Sequence, residues 1–190
     1  MENLQRWKSN IFVVNGAPGA GKDTFCNFVK EQMAPGYCMT ISTVDKVKEI
    51  AKECGWDGEK DPKSRKFLSD LKDLLTEWGE VPIKDVIWKI NNYEFYFKQL
   101  YLDSSTACIF VMTREPSDIY TLTHLLPNCR SLIVRNEKAE AQPTSNHADA
   151  DILHYDYDLE VDNNGDLGEL REQARTFIYY YNLERGEYEN

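Results

Sequence analysis

The sequence lacks the residue patterns of zinc-binding and disulfide-stabilised proteins. Its five cysteines include no Cys-x-x-Cys pair, and their odd number argues against a disulfide framework. The three histidines, His124, His147 and His154, do not have the spacing of metal ligands. We therefore expect neither a zinc site nor disulfides, and a reducing, cytoplasmic compartment.

Long apolar segments are also absent from the sequence. The first residues, Met-Glu-Asn-Leu-Gln-Arg-Trp-Lys, contain no apolar signal-peptide region. No apolar run approaches the length of about 20 residues that a transmembrane helix needs. We therefore expect no membrane partner.

The third deficit is in positive charge, because 22 Lys and Arg residues stand against 32 Asp and Glu, a net charge of −10. Proteins that bind nucleic acid through its phosphates need a basic surface, so we expect no nucleic-acid partner. A small phosphorylated ligand requires only a local cluster of donors and cations. The 190 residues, of which 42% are hydrophobic, are enough for one domain with its own core.

Short apolar runs alternate with segments of helical periodicity, which predicts a three-layer α/β/α fold with a five-stranded, mainly parallel sheet. Parallel strands end at a common sheet edge, where we expect the ligands. The predicted strands are Ile11–Asn15, Cys38–Ser42, Ala107–Met112, Arg130–Arg135 and one containing Leu159–Val161. The predicted helices are Lys22–Met33, Thr43–Cys54, Ser64–Gly79, Pro82–Leu102, Pro116–Leu126 and Leu167–Leu183.

We predict a single domain over residues 1–190. Its core comprises about residues 8–54 and 103–183, and a helical insertion occupies about residues 55–102. The polar residues 136–151 are predicted to form a mobile, lid-like loop after the fourth strand.

A glycine-rich segment between the first strand and the first helix matches the phosphate-binding pattern Gly-x4-Gly-Lys-[Ser/Thr] at three positions. Gly16, Gly21 and Lys22 fit, whereas Asp23 occupies the hydroxyl position. Glycines let the backbone curl so that N–H groups point at phosphate oxygens, and the helix adds its positive end. The predicted nucleotide-binding residues are Gly16, Ala17, Pro18, Gly19, Ala20, Gly21, Lys22, Asp23 and Thr24.

This segment resembles the Gly-x-Pro-Gly-x-Gly-Lys-x-Thr loop of adenylate kinases and other nucleoside-monophosphate kinases. Its Lys-Asp-Thr ending is also similar to bacteriophage-type deoxynucleoside-monophosphate kinases. In this family the residue after the lysine is commonly not a hydroxyl residue, so the resemblance implies that Thr24 supplies the hydroxyl. Asp23 is then free to act near a metal. The resemblance further implies ATP and Mg²⁺ as cofactors.

A kinase must also screen its phosphorylated substrates with converging cations. Arg114 follows the third strand and Arg135 ends the fourth, which places both at the ligand edge. In the resembling family an arginine on a helical arm grips the acceptor monophosphate, and Arg65 is the candidate here, with Lys63 behind it. The alternatives are a helix-start ion pair for Arg114 and a solvated helix start for Arg65. Residues 136–151 contain no arginine, so Arg135 and Lys138 would supply the charge of a lid.

Acidic residues near the strand ends are candidates for the metal and the acceptor. Glu115 could hold Mg²⁺, together with Asp23 and Thr24, and Asp45 could lie near the acceptor. Glu115 and Asp45 could equally be residues that the helix dipole favours in a first turn. Asp162–Gly165 lies where such kinases hold the adenine edge, although a plain turn is the stronger expectation.

The sequence therefore predicts an ATP-dependent kinase whose acceptor is a small phosphorylated molecule, most readily a nucleoside or deoxynucleoside monophosphate. Lys22, Arg114, Arg65, Arg135 and Asp45 are its predicted catalytic residues. A kinase of another small metabolite and a nucleotide-binding regulatory protein without kinase activity stay open as alternatives. The protein is expected to be a monomer or a homodimer.

Overall fold

Five parallel strands form one sheet in the computed structural model, which describes residues 10–33, 37–59, 61–100, 107–142 and 152–183. The strand order is β2-β3-β1-β4-β5, and each neighbouring pair is parallel. The predicted α/β fold is therefore confirmed. The strands are β1 (Asn10–Asn15), β2 (Cys38–Ser42), β3 (Cys108–Met112), β4 (Cys129–Arg135) and β5 (Leu159–Asp162).

Helices cover both faces of this sheet and connect its strands. They are α1 (Lys22–Gln32), α2 (Asp45–Glu53), α3 (Pro62–Gly79), α4 (Val81–Leu100), α5 (Pro116–Leu125), α6 (Glu137–Glu140) and α7 (Leu167–Leu183). A short 3-10 helix spans Ile152–His154. Among the described ranges, no helix combines the length and the apolarity that crossing a bilayer requires.

Side chains that alternate along β1 divide the core into two parts. Phe12 and Val14 pack on the face covered by α1 and α7, and Ile11 and Val13 pack on the face covered by α4 and α5. A parallel strand buried on both faces is expected to be apolar throughout, which explains the Ile-Phe-Val-Val run. The two helical layers therefore hold the C-terminal edge of the sheet in a fixed geometry.

Helix α3 begins two residues before its predicted start at Ser64. The Oδ1 atom of Asp61 accepts hydrogen bonds from the backbone N–H groups of Lys63 and Ser64, and Pro62 occupies the first helical position. Both features favour a helix start. The helix ends at Gly79, where Glu80 has a left-handed backbone with φ 55°. This turn leads directly into α4.

The predicted mobile, lid-like loop over residues 136–151 is not irregular in its first part, because this part contains the helical turn α6. Asn136 accepts a hydrogen bond from the backbone N–H of Ala139 at 2.9 Å and caps the single turn of α6. A helix this short has too few periodic positions to be recognised in the sequence. Residues 143–151 lie outside the described part of the chain.

Candidate functional site

The predicted phosphate loop joins the end of β1 to the start of α1, and three of its glycines have positive φ. The φ angles are 143° at Gly16, 83° at Gly19 and 96° at Gly21. A side chain at Gly16 would also collide with the backbone carbonyl of Val134, and one at Gly21 with the side chain of Asn163. At these two positions the loop needs glycine both for its backbone conformation and for its close contacts.

Lys22 folds back over this loop from the first position of α1. Its Nζ atom donates hydrogen bonds to the backbone carbonyls of Gly16 at 2.5 Å and Ala17 at 2.9 Å. Gly21 precedes the helix and offers no capping side chain, so the first N–H groups of α1 are not covered from within. An ammonium group beside a helix N-terminus is an arrangement suited to an anion.

Two asparagines at strand ends hold the loop in place. Asn15 is fully buried; its Oδ1 accepts from the N–H of Gly16 at 2.8 Å, and its Nδ2 donates to the carbonyl of Arg114 at 3.3 Å. Asn163, after β5, donates from Nδ2 to the carbonyl of Ala20 at 2.8 Å. Neither contact was predicted. The feature of the sequence that could have indicated them was a polar residue at the end of a predicted strand.

The three predicted arginines lie on three different elements. Arg114 follows β3, and the bond from Asn15 to its carbonyl fixes its backbone beside the phosphate loop. Arg65 is exposed near the start of α3. It shares a helix face with Lys72, because seven residues correspond to about two turns.

Arg135 is engaged by the short helix that follows β4. Its Nε and Nη2 atoms lie 2.6 and 2.9 Å from the two carboxylate oxygens of Glu140 on α6. The hydrogen bonds from Arg135 lower the pKa of Glu140, and the same contacts raise the pKa of Arg135. Arg135 would have to exchange this partner before it could contact a phosphate.

The predicted acidic residues do not converge on one point. Glu115 Oε1 lies 2.5 Å from Lys72 Nζ, whereas Asp45 Oδ2 accepts from the N–H of Ser42 at 2.8 Å. Asp23 is exposed in the first turn of α1, and Thr24 is half-buried beside it. Among the described residues, no group of three or more His, Cys, Asp and Glu side chains is arranged to hold a metal ion. Mg²⁺ in nucleotide sites takes most of its ligands from phosphates and water, so such a group is not required.

A buried polar network lies beside Arg114, and sequence reasoning missed it. Lys72 Nζ lies 2.8 Å from Asp118 Oδ2, which also accepts from the hydroxyl of Thr113 at 2.8 Å. The hydroxyls of Thr113 and Thr43 are 3.3 Å apart and join the ends of β3 and β2. One feature of the sequence could have indicated that Lys72 is buried. It lies four residues after Leu68 and three before Leu75, which places it on the same helix face as these leucines.

No protein-family model matches this chain, and no relative is found among curated proteins. Solved structures that are similar include a sugar kinase from Janibacter sp. HTCC2649, at 16% identity and a TM-score of 0.40, covering 90% of this chain and 95% of that chain. Another is a mutant of the APS kinase CysC of Mycobacterium tuberculosis, at 10% identity and a TM-score of 0.41, covering 92% of this chain and 97% of that chain. Likenesses this remote assign no substrate, so the function has to be inferred from the site.

Proposed function

We propose that this protein transfers the γ-phosphoryl group of ATP to a small phosphorylated acceptor, a nucleoside or deoxynucleoside monophosphate. The phosphate loop carries this proposal. Its glycines have the backbone conformation that turns N–H groups inward, and Lys22 Nζ lies against two of its carbonyls. The loop lies at the C-terminal edge of the central strand of a parallel sheet, where ligands of such sheets bind.

In this proposal the loop and Lys22 hold the ATP phosphates. Lys22 moves its ammonium from the loop carbonyls to the terminal phosphates, and the N-terminal end of α1 contributes further positive potential. Asp23 and Thr24 lie one and two residues after Lys22 and would hold Mg²⁺, whose charge would help to neutralise the phosphates. Positioning and electrostatic screening then supply most of the rate enhancement.

The acceptor is proposed to bind beside β2 and β3, next to the α3–α4 arm. Arg114 is held there by the buried side chain of Asn15, and Arg65 lies on the same face of α3 as Lys72. Asp45, the first residue of α2, would contact the acceptor. Arg135 would join these cations after leaving Glu140, so its contribution requires a rearrangement of α6.

A nucleotide-binding regulatory protein without kinase activity is the second candidate. Two observations favour it: Arg135 is already paired with Glu140, and Glu115 is already paired with Lys72. Both are groups that a kinase site would need for phosphate or metal. This candidate predicts ATP binding without transfer.

The deciding experiment incubates the protein with Mg²⁺, ATP and each nucleoside or deoxynucleoside monophosphate, and separates the products by anion-exchange chromatography. We expect ADP and one diphosphate product to form together. Lys22→Ala should lower the turnover number about a hundredfold or more, because removing one donor that stabilises the transition state typically lowers the rate by this factor. Lys30→Ala, which changes an exposed lysine in the last turn of the same helix, is the matched control.

Calorimetric binding of ATP without product from any acceptor would support the regulatory candidate instead. Wild-type transfer by Lys22→Ala would contradict the site assignment itself.

The role of Arg65 has a separate test. Arg65→Ala should raise the acceptor KM by about tenfold to a hundredfold, the value of a lost charge-assisted hydrogen bond. The KM for ATP should stay unchanged. Lys66→Ala removes the neighbouring cation, which pairs with Asp70, and should change neither constant. If the two variants had equal effects, Arg65 would be a solvent-exposed residue at the start of the helix and not a ligand of the acceptor.

A further inference from the structure

Helix α3 carries an apolar stripe on the side opposite its buried lysine. Phe67, Leu71, Leu74 and Trp78 recur at the spacing of one helix face. Phe67 is 38% exposed, Leu74 62% and Trp78 84%, whereas Lys72 on the opposite side is buried. Large exposed apolar side chains aligned on one helix are typical of an interaction surface. We call these four residues the α3 stripe.

The α3 stripe is symmetric about its own midpoint, which lies between Lys72 and Asp73. If two α3 helices pack antiparallel through this midpoint, Phe67 of one copy lies opposite Trp78 of the other, and Leu71 lies opposite Leu74. Each bulky ring thus meets a ring and each leucine meets a leucine. A surface that complements itself under a two-fold rotation is what an isologous dimer requires.

The charges along one edge of the stripe are distributed unequally between the two halves of α3. The first half carries Lys63, Lys66 and Asp70, of which Lys66 and Asp70 form an ion pair, and the second half carries Asp73 and Glu77. Asp73 and Glu77 are one turn apart, so their like charges repel each other within one chain. In the antiparallel pair, the basic half of each helix lies beside the acidic half of the other.

We propose that a second copy of this chain docks on the α3 stripe, so that the protein forms a homodimer with antiparallel α3 helices. The two-fold symmetry of the apolar side chains, together with the opposite net charge of the two halves of the helix, selects this partner. The proposal does not depend on the kinase function. Helix α3 is about 27 Å long at 1.5 Å per residue, and one helix pair of this size buries less than a standard interface. The dimer is therefore expected to be weak and dependent on concentration.

Sedimentation equilibrium over about a hundredfold range of protein concentration tests the association. The wild type should pass from monomer to dimer, and Leu74→Glu should stay monomeric. Leu125→Glu is the matched control, because Leu125 is 60% exposed on α5 and should not affect the dimer. Circular dichroism checks the fold of each variant, and Trp78→Ser provides a second change on the stripe.

A monomeric wild type at every concentration would overturn the proposal and indicate that the stripe is covered by a segment of its own chain or by another protein. A dimeric Leu74→Glu would place the interface elsewhere and would also overturn it.

Cysteine cross-linking tests the antiparallel geometry in a Cys54→Ser background, which removes an exposed thiol. The two copies of residue 74 would be offset by about 4.5 Å along the helix axis, within reach of a disulfide. The two copies of residue 78 would be offset by about 16 Å, which is out of reach. Leu74→Cys should therefore cross-link on oxidation and Trp78→Cys should not. Cross-linking of both variants would indicate parallel helices and overturn the proposed arrangement.

The charged edge gives an independent test. Lys66→Glu should weaken the dimer, because each copy then places a carboxylate beside Glu77 of the other. Adding Glu77→Lys in the same chain should restore association. If the double variant associates no better than Lys66→Glu, the charge pairing proposed here is wrong.

Discussion

The ammonium of Lys72 lies 2.8 Å from Oδ2 of Asp118, and both side chains are nearly inaccessible to solvent, at 7% and 6% exposure. This contact ties α3 to the first turn of α5, and the hydroxyl of Thr113 shares the same carboxylate oxygen. Glu115 approaches the ammonium from the strand end. Helix α3 is thus fastened to the end of the central strands through a buried cation.

Lys72→Met should destabilise the fold strongly. Removing the lysine leaves the buried Asp118 carboxylate with the Thr113 hydroxyl but without a cation, and breaking a buried ion pair in this way typically costs about 3 to 5 kcal/mol. Urea unfolding measures the loss. Lys46→Met is the matched control, because it breaks the exposed Lys46–Glu49 pair and should cost far less than Lys72→Met. Equal losses in the two variants would show that burial adds nothing to the Lys72 contact.

Asn163→Ala should weaken nucleotide binding without unfolding the protein. The variant removes the donor to the Ala20 carbonyl, so the loop loses one of its two asparagine anchors. A lost hydrogen bond of this kind is worth about 1 kcal/mol, which corresponds to roughly fivefold to tenfold in the Kd for ATP. Titration calorimetry measures it. Asn164→Ala is the control, because that side chain bonds to Asp162 and to the N–H of Glu137. An unchanged Kd in Asn163→Ala would mean that the anchor does not shape the binding conformation.

The Arg135–Glu140 pair should make stability depend on pH in the acidic range. Hydrogen bonds from Arg135 lower the pKa of Glu140 in the folded state, so the ionised carboxylate favours folding. This contribution is present above the ordinary carboxyl pKa of about 4.3 and is lost as the pH falls through the lowered value. At neutral pH the free energy of unfolding of the wild type should exceed that of Glu140→Gln by up to about 1 kcal/mol, because Arg135 is 35% exposed. In strong acid the two proteins should be equally stable.

Unfolding titrations at a series of pH values provide the measurement. Glu137→Gln, an exposed neighbour on α6, should keep the profile of the wild type. A difference between wild type and Glu140→Gln that stays constant down to strong acid would contradict the ion pair.

Cys54 should be the thiol that reacts fastest in the native protein. It is exposed, whereas Cys26, Cys38 and Cys108 are buried. Burial also raises the pKa of Cys26, and burial together with Asp158 raises the pKa of Cys129 to about 12, so both thiols stay protonated at neutral pH. Reaction with a chromogenic disulfide should show one fast thiol, and Cys54→Ser should remove it. A fast phase that persists in Cys54→Ser would show that another cysteine is accessible.

Features governed by local sequence were predictable. The bounds of β2 and α7 agree with the prediction, because apolar alternation and helical periodicity are properties of neighbouring residues. The glycine-rich turn between β1 and α1 was predictable for the same reason, whereas its role in binding phosphate stays a prediction. Helix α2 begins at Asp45 and not at Thr43, because the carboxylate of Asp45 binds the N–H of Ser42 and holds the intervening turn.

Features that depend on pairing between distant residues were not predictable. Lys72 meets Asp118 across 46 positions, and Asn163 meets Ala20 across 143. A lysine inside an amphipathic helix is usually solvated, and the residues around Lys72 in the sequence do not identify Asp118 as its partner. The ion pair between Arg135 and Glu140 was missed for a different reason. It depends on the single turn of α6, which is too short to be recognised in the sequence.

The position of β1 has a consequence for the order in which the protein matures on the ribosome. Its hydrogen-bonding edges are filled by β3 and β4, which are synthesised about a hundred residues later, and Asn163 follows after both. Until those segments emerge, the nascent chain carries the phosphate loop without the backbone that shapes it. Pairing over such sequence separations is slow and exposes apolar strands in the meantime. The segment that would bind the nucleotide is therefore translated long before it can acquire its binding conformation.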